Sequence, residues 1–580
     1  MAIPAFKSDL SGASHRVHRK VRVRPENKLE AAKIAQQYGV NPVVARILAA
    51  RGFTSDAELQ HFLTPTLREG LPDPSTLKNL SEACVLIREC HEAGKAIAIC
   101  CDFDVDGLSG GSVAHGFFQE AGIKSQVFVP DRFADGYGLN EKAVREIAQA
   151  GFGLLLTIDF GTTNVKELTI ARELGLVTVV VDHHHTGGNV PPADVFINPH
   201  QDGCGFAKKI PCAAGLAWYL VVGLRKELKL TDVDPKSYLD LSCLGTICDM
   251  VPLVGVNRII AKRGLELLSE TKRPGLRAMK QLIGIQGLVG CSDVSFGIGP
   301  RLNAAGRMVH GEVVVELLTT KDSIRAEKLA KQLNDLNLER QEVEGTVKTD
   351  AIRIVEEAGG PGAGIVVWDP EFHTGVIGIV AQRLVETYYR PSVVMGMDSE
   401  GVFKGSVRGI KGFSVVGALG AVGSLLIKFG GHEGAGGFSI NEENLEEFKA
   451  AFITECAKRL QTLETVPYAD ADTEVTLPEI TIALVDELKN LAPFGMGNPA
   501  PIVLLRNMRV VEVKTIKGVH LKALLSDGQR YISAIMWRQP SHPALTVNGR
   551  VDVVFRPEVS SWGGTSELQA NLQAIEVAGG

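Results

Sequence analysis

Between residues 95 and 200, short runs of consecutive apolar residues alternate with stretches of helical spacing. Ala96-Ile97-Ala98-Ile99 opens a strand over 96–100, and further strands are expected at 126–129, Leu154–Ile158 and Val177–Val181. Helices are expected between them, near 110–121, 140–149 and 164–174. Uninterrupted apolar strands separated by helices imply an α/β architecture, with a mostly parallel sheet covered on both faces. Ligands of such sheets bind at the carboxyl ends of the strands. Asp102 through Asp106, Asp159, and Asp182 through His185 all fall at such ends.

The pattern changes character elsewhere. Leu29 to Leu63 reads as helical, and a helix carrying Ala83, Leu86 and Ile87 leads into the first strand. From 321 to 358, Leu329, Leu333, Leu336, Val343 and Val347 recur at mostly helical spacing. One helix of about 30 residues would span roughly 45 Å; two shorter helices broken near Gly345 are the alternative. Gly359-Gly360-Pro361-Gly362 marks a boundary, after which a second α/β unit runs to about 455 with strands at 364–368 and 392–396. Short alternating segments at 502–504, 508–510, 521–525 and 531–537 suit a small β-barrel. The expected division is an accessory region (1–80), a catalytic domain (81–320), a connecting helix (321–358), an α/β lobe (359–460) and a barrel (465–580).

Length and composition agree with several soluble domains. The 580 residues are 45% apolar and 22% charged, and a chain this long should divide into about three to five domains. Ten cysteines without paired CxxC spacing point to a reducing cytoplasm and away from a cysteine-built zinc site. No secretory signal and no apolar run of about 18 residues is expected, hence no membrane span. The net charge of −6 neither requires nor excludes a nucleic-acid partner. Residues 501–580 hold nine Lys/Arg against six Asp/Glu, an excess of +3 that fits an oligonucleotide-binding barrel. A basic run of Arg16, Arg19, Lys20, Arg22 and Arg24 reads as a solvated tail or as an arm on a phosphate backbone.

The strand-end residues carry the chemistry. Asp102, Asp104 and Asp106 are spaced two apart and can converge on a small volume. Carboxylates so gathered raise one another's pKa unless cations intervene. Asp159, His183, His184 and Asp249 extend the set, and mixed Asp/His ligands favour Mn²⁺, with Mg²⁺ as competitor. Two ions about 3.5–4 Å apart would support phosphodiester hydrolysis, with Asp159 as the bridging ligand. A calcium loop is disfavoured because a strand precedes the run and Gly110-Gly111 replace oxygen ligands. His185 is expected outside the ligand set; Asp182 is either a ligand or the residue that orients an imidazole. Cys101 reads as packing, whereas Cys100 either packs or faces the metals.

A second dense signal is Gly297 through Met308, where small residues allow close backbone approach and Arg301, Asn303 and Arg307 bring donors for phosphate. Arg132 follows a strand and reaches toward the same chemistry. Farther on, His373 precedes Gly375-Val376-Ile377-Gly378, which opens a helix able to bind an anion. Gly405–Gly409 and Gly430–Gly437 read as ligand-binding turns, with Ser406, Arg408 and His432 clasping a terminal phosphate. The absence of GxxxxGK[ST] argues against a P-loop ATPase.

Taken together, DFDVDG (Asp102–Gly107), DFG (Asp159–Gly161), DHHHTG (Asp182–Gly187) and GTICDMVPL (Gly245–Leu253) resemble the catalytic motifs of the DHH phosphoesterase superfamily. With GPRLNAAGR (Gly299–Arg307), HTGVIGIVAQRL (His373–Leu384), GSVRG (Gly405–Gly409), GGHEGAGG (Gly430–Gly437) and PFGMGNPAP (Pro493–Pro501), the chain resembles the RecJ family of bacterial single-strand-specific 5′-to-3′ DNA exonucleases. The resemblance implies a DHH lobe, a linker helix, a DHHA1 lobe and a C-terminal OB-fold. It also implies core metal ligands Asp104, Asp106, Asp159, His183 and Asp249, with Asp102 and His184 in the same catalytic group. Cys100 stands where some members have a histidine. Arg132, Arg301, Ser406 and Arg408 are implied to line the strand path or hold its terminal phosphate. The implied activity releases 5′-mononucleotides in recombination and repair, by a monomer that a helicase and a single-stranded-DNA-binding protein accompany. Competing readings are a phosphodiesterase of short oligoribonucleotides or cyclic dinucleotides, a pyrophosphatase, and a nucleic-acid-binding scaffold.

Overall fold

The structure, a computed structural model, describes residues 18–130, 138–188, 190–206, 210–308, 310–562 and 565–579. They fall into two units: Ala57–Arg340 with Leu491–Ala500, and residues 18–56 with Gln341–Asn490 and the chain from Pro501 onward.

In the first unit, five parallel strands form one sheet. Their order is Ser125–Phe128, Ile97–Cys101, Leu154–Ile158, Val177–Val181, Val195–Ile197. Alternation along each strand divides the side chains between two cores. Ile97, Ile99, Cys101, Leu154, Leu156, Ile158, Val179 and Val181 join a large apolar cluster with Phe117, Leu216 and Leu244. Ala98, Cys100, Leu155 and Val180 face the opposite side, packing with Val144, Ile147 and Leu168. The strand Val195–Ile197 was absent from the sequence-based expectation because its three residues are too few to show a period. The helix expected near 110–121 begins earlier, at Val105, because the Asp104 carboxylate caps it, accepting from Asp106 N at 2.8 Å and Gly107 N at 3.2 Å.

The chain leaves Ile97–Cys101 toward one edge strand and returns to Leu154–Ile158 on its other side. These adjacent strands therefore flank the point where strand order reverses, and a crevice opens beyond their carboxyl ends. Asp102 and Asp159 are the first residues past those two ends.

Residues Ser323–Glu357 form one continuous helix of 35 residues, with no break at Gly345. Ala326, Leu329, Ala330 and Leu333 are buried near its start, and Val347, Ala351 and Val355 near its end. In the second unit, a five-stranded sheet has the order Lys428–Gly431, Ala435–Ile440, Phe403–Arg408, Ser392–Met397, Ile365–Trp368. The segments expected as ligand-binding turns, Gly405–Gly409 and Gly430–Gly437, thus lie largely in strands. Their glycine content concealed this: Phe438 pairs with Gly405 across the sheet and lays its ring where a side chain would be, so the pair is packed without alternation in the sequence.

The closed barrel comprises Val503–Ile516, His520–Ser526, Tyr531–Met536, Thr565–Val577 and Arg550–Trp562, the first strand also pairing with the last. The expected segments 502–504 and 508–510 are one strand interrupted by a bulge between Leu505 and Met508. From Lys20 onward the basic run is an ordered strand and not a solvated tail. Lys20–Val23 forms a strand parallel to Tyr468–Ala471, where Arg22 pairs with Asp470 and Arg24 with Asp472. Arg16 lies outside the described residues. Among the described residues no helix is long and apolar enough to cross a membrane.

Candidate metal centre and anion site

Asp106, on the first turn of the helix begun at Val105, is fully buried. Its carboxylate accepts from Ala213 N at 2.7 Å and Ala214 N at 2.9 Å, at the start of the helix Ala213–Glu227. The positive end of that helix helps hold the charge. Asp159 follows its strand at φ 71°, a left-handed conformation unusual for a non-glycine residue. Backbone strain of this kind is retained where the surroundings fix it, and active sites are common places for it. Asp249 follows the helix Leu239–Cys248.

These three carboxylates converge on one imidazole. His183 Nε2 lies 3.2 Å from Asp159 Oδ1, 3.7 Å from Asp106 Oδ2 and 3.7 Å from Asp249 Oδ2. Asp159 Oδ1 and His183 Nε2 are buried, and neither has a hydrogen-bond partner among the described residues. Ligand atoms of Asp106, His183 and Asp249, of Asp159, His183 and His184, and of Asp102, Asp104 and Asp159 form three groups, each within 4.8 Å. Two orphaned lone-pair donors inside overlapping acidic groups fit divalent cations, which satisfy both atoms and remove the repulsion.

Without such a cation the charges shift one another. Burial, then the neighbouring Asp106 and Asp104, raise the Asp159 carboxyl well above its ordinary value. Burial and the same neighbours push Asp249 up to about 9. Burial and Asp106 raise Asp104, and burial lowers His183.

Asp182 occupies a different position. Its Oδ1 accepts from His184 Nδ1 at 2.7 Å and from the amides of His183 and His184; its Oδ2 accepts from Thr162 N and Oγ1. Asn198 Nδ2 donates to Thr162 Oγ1 and to His184 O. Although burial opposes it, the hydrogen bond to Asp182 raises His184 to about 9. Burial would likewise raise Asp182, but the bonds from His184 and Thr162 hold it below the usual carboxylate range. Asp182 thus orients His184 through Nδ1 and leaves Nε2 clear of that bond. Thr162 and Asn198 escaped the sequence reading; Thr162 directly follows DFG, the one signal available. The His185 ring packs against His200 at a 40° tilt, with centroids 4.1 Å apart.

Cys100 packs with Leu139, Val144 and Phe160 on the sheet face carrying that second core, and burial pushes its thiol up to about 12. It belongs to none of the three ligand groups.

Residues Gly299–Met308 form a helix. Asn303 Oδ1 accepts from Val105 N at 3.1 Å, between Asp104 and Asp106. A Cβ at Gly306 would stand 2.6 Å from Phe103 O, so only glycine admits this approach. Asn303 therefore braces the acidic turn. Arg301 is half-buried, donating to Asn334 Oδ1 at 3.0 Å and Gly297 O at 2.7 Å. Arg307 is half-buried on the same helix. Arg132 lies outside the described residues.

In the second unit, Ser406 and Arg408 share one face of their strand, and Arg408 Nη1 donates to Ser406 Oγ at 3.1 Å. A Cβ at Gly378 would lie 3.0 Å from Ser406 Oγ and 3.1 Å from Arg408 Nη2. Both side chains thus stand over the first turn of the helix Ile377–Tyr388, whose leading amides lack intrahelical partners. His373 Nδ1 accepts from Gly375 N at 3.1 Å beside that turn. His432 is exposed in the hairpin that continues into Ala435, the residue paired with Arg408.

Comparison with known proteins places these features in a family. A DHH family N-terminal domain matches residues 96–246, a DHHA1 domain residues 361–458 and a RecJ OB domain residues 471–574. The single-stranded-DNA-specific exonuclease RecJ of Bacillus subtilis is 33% identical over 562 residues, covering 96% of this chain and 70% of that protein. The crystal structure of RecJ in complex with Mn²⁺ from Thermus thermophilus matches with a TM-score of 0.83 at 31% identity, over 97% of this chain and 80% of that one. The Mg²⁺ complex from the same organism matches at 0.77 and 29% identity over the same shares. With its domains in this order and relatives of this identity along nearly its whole length, the chain belongs to the RecJ family.

Proposed function

We propose that the chain is a metal-dependent exonuclease that hydrolyses single-stranded DNA in the 5′-to-3′ direction and releases 5′-mononucleotides. The observation that carries this is the convergence of Asp106, Asp159 and Asp249 on the unpartnered His183 Nε2, at the switch point of the sheet, in a chain of this family.

Asp104, Asp106, Asp159, His183 and Asp249 are assigned as ligands of two divalent ions, Mn²⁺ or Mg²⁺, with Asp159 bridging and Asp102 and His184 beside them. When bound, such ions acidify water and neutralise charge developing at phosphorus. The protein contributes fixed positions: Asp106 is held by two helix amides, Asp159 by its strand end, and His184 by Asp182. Replacing Asp182 with asparagine keeps an acceptor but removes the charge behind His184. Calorimetric titration with Mn²⁺ should then show affinity about 10- to 100-fold weaker, with the fold retained.

Ser406, Arg408, His373 and His432, with the helix N-terminus at Gly378, are assigned to the 5′-phosphate. Arg301, Arg307 and Arg132 are assigned to the strand path and the barrel to binding of single-stranded DNA; Asn303 is assigned to hold the acidic turn against that path. Arg408→Ala should raise KM for 5′-phosphorylated DNA about tenfold to hundredfold, the range for lost charge-assisted bonds. The preference over 5′-hydroxyl DNA should vanish in the same steady-state comparison. The domain boundaries at 80, 320, 358 and 460, action as a cytoplasmic monomer in repair and recombination, and a helicase and a single-stranded-DNA-binding protein as companions complete the proposal.

The deciding assay gives the protein, with Mn²⁺ or Mg²⁺, matched single-stranded DNA and RNA labelled at either end, a duplex, a cyclic dinucleotide and pyrophosphate. Immediate mononucleotide release from the DNA 5′ end is expected. Preference for short RNA or cyclic dinucleotides would overturn the proposal.

A further inference from the structure

One element beside the metal centre has no part in the roles above. Before Gly299–Met308 the helix runs through a π-helical turn, Asp293–Ile298, closed by Gly299 N donating to Val294 O five residues earlier. Such turns are rare and frequent at functional sites. Val294 and Ile298 are fully buried here, while Phe296 between them is 81% exposed. At that exposure Phe296 adds little apolar burial to the fold and leaves most of its ring face open to a ligand.

Its position relates it to the reaction. A methyl group at Gly299 would collide with the sulfur of Cys248, the residue preceding Asp249. The π-turn is therefore seated against the end of the helix that delivers Asp249. Along the same helix, Asn303 touches the acidic turn at Val105, and seven residues of helix separate it from Phe296 by about 10 Å. That distance is about three nucleotide steps at duplex-like spacing. Met250, next after Asp249, is another exposed apolar residue, at 63% and φ 61°.

We infer that Phe296 stacks on a nucleobase of the single strand a few nucleotides from the scissile bond, holding the strand in register at the metal centre. The inference rests on the proposed nuclease reading. A stacking contact recognises any base, since every base has a π-face. It acts alike in the ground state and the transition state, so it appears in KM and leaves kcat unchanged.

The test combines Phe296→Ala and Phe296→Tyr with substrates carrying one abasic nucleotide, walked position by position from the 5′ end. Phe296→Ala should raise KM for intact single-stranded DNA roughly tenfold, with kcat unchanged, and Phe296→Tyr should restore it. At one register the abasic substrate should raise KM of the parent protein by a similar factor and add nothing in Phe296→Ala. An unchanged KM in Phe296→Ala, or equal abasic penalties in both proteins at every register, overturns the stacking role while leaving the nuclease reading intact. A parent protein that fails to cleave single-stranded DNA overturns both.

Discussion

Replacing Asp159 with asparagine is expected to abolish hydrolysis, by more than about 10³-fold, the upper range for losing one preorganised electrostatic contact. Asp159 is shared by two of the three ligand groups, and its Oδ1 is, with His183 Nε2, one of the two buried atoms of those groups that lack a hydrogen-bond partner among the described residues. An amide presents half the acceptors and none of the charge, so both groups lose a ligand at once. Mn²⁺ titration followed by calorimetry should show weakened binding in parallel with the lost turnover. The metal-free variant should melt no lower than the parent, because a buried carboxylate repelled by Asp106 and Asp104 has been neutralised. Substantial Mn²⁺-dependent turnover in the variant would exclude Asp159 as the bridging ligand. A large fall in metal-free melting temperature would show that its role is in the fold.

The second large effect concerns pH. In the metal-free protein Asp104, Asp159 and Asp249 have raised carboxyl pKa values, so the folded state retains protons that the unfolded chain releases. For Asp249 this holds from its ordinary value of 3.8 up to about 9. His184, raised from 6.5 to about 9, adds to it in the upper part of that window. His183 acts in the opposite direction, as do His115, His200 and His542, all lowered by burial, but only up to the ordinary histidine value of 6.5. Where the folded state binds more protons, stability falls as pH rises. The melting temperature of chelator-treated protein should therefore drop steadily between about pH 5 and pH 9. Metal should reverse the trend, since binding requires the deprotonated ligands and stabilises only the folded state. Asp249→Asn should flatten the metal-free slope. A metal-free melting curve that stays level or rises across this interval would contradict the charge arrangement described above.

Much of the catalytic unit was legible because its signals are local. Buried strands of a parallel sheet show as continuous apolar runs, and Leu154–Ile158 and Val177–Val181 came out with the same bounds in sequence and structure. Acids and histidines immediately past such runs mark the ligand end of the sheet, since that placement depends only on chain direction. Glycine-rich strands were not legible. In Phe403–Arg408 the buried face is interrupted at Gly405, whose place is filled by Phe438 from a neighbouring strand, and Lys428–Gly431 ends in two glycines that leave no apolar period to read.

The chain by itself determined the residue types that gather at the sheet and the order of its domains, because periodicity and motif order are properties of neighbours along the backbone. Tertiary structure alone decided how those residues divide the work. Asp182 and Asp106 are both buried aspartates near the same histidines, yet one orients His184 and the other faces His183. Asn303 braces the acidic turn from 198 residues away, Arg22 and Arg24 answer acids near the start of the barrel, and Cys100 turns into the opposite core. Each outcome depends on which distant element supplies the facing group. That is fixed by packing of the folded chain, and spacing along the sequence carries no record of it.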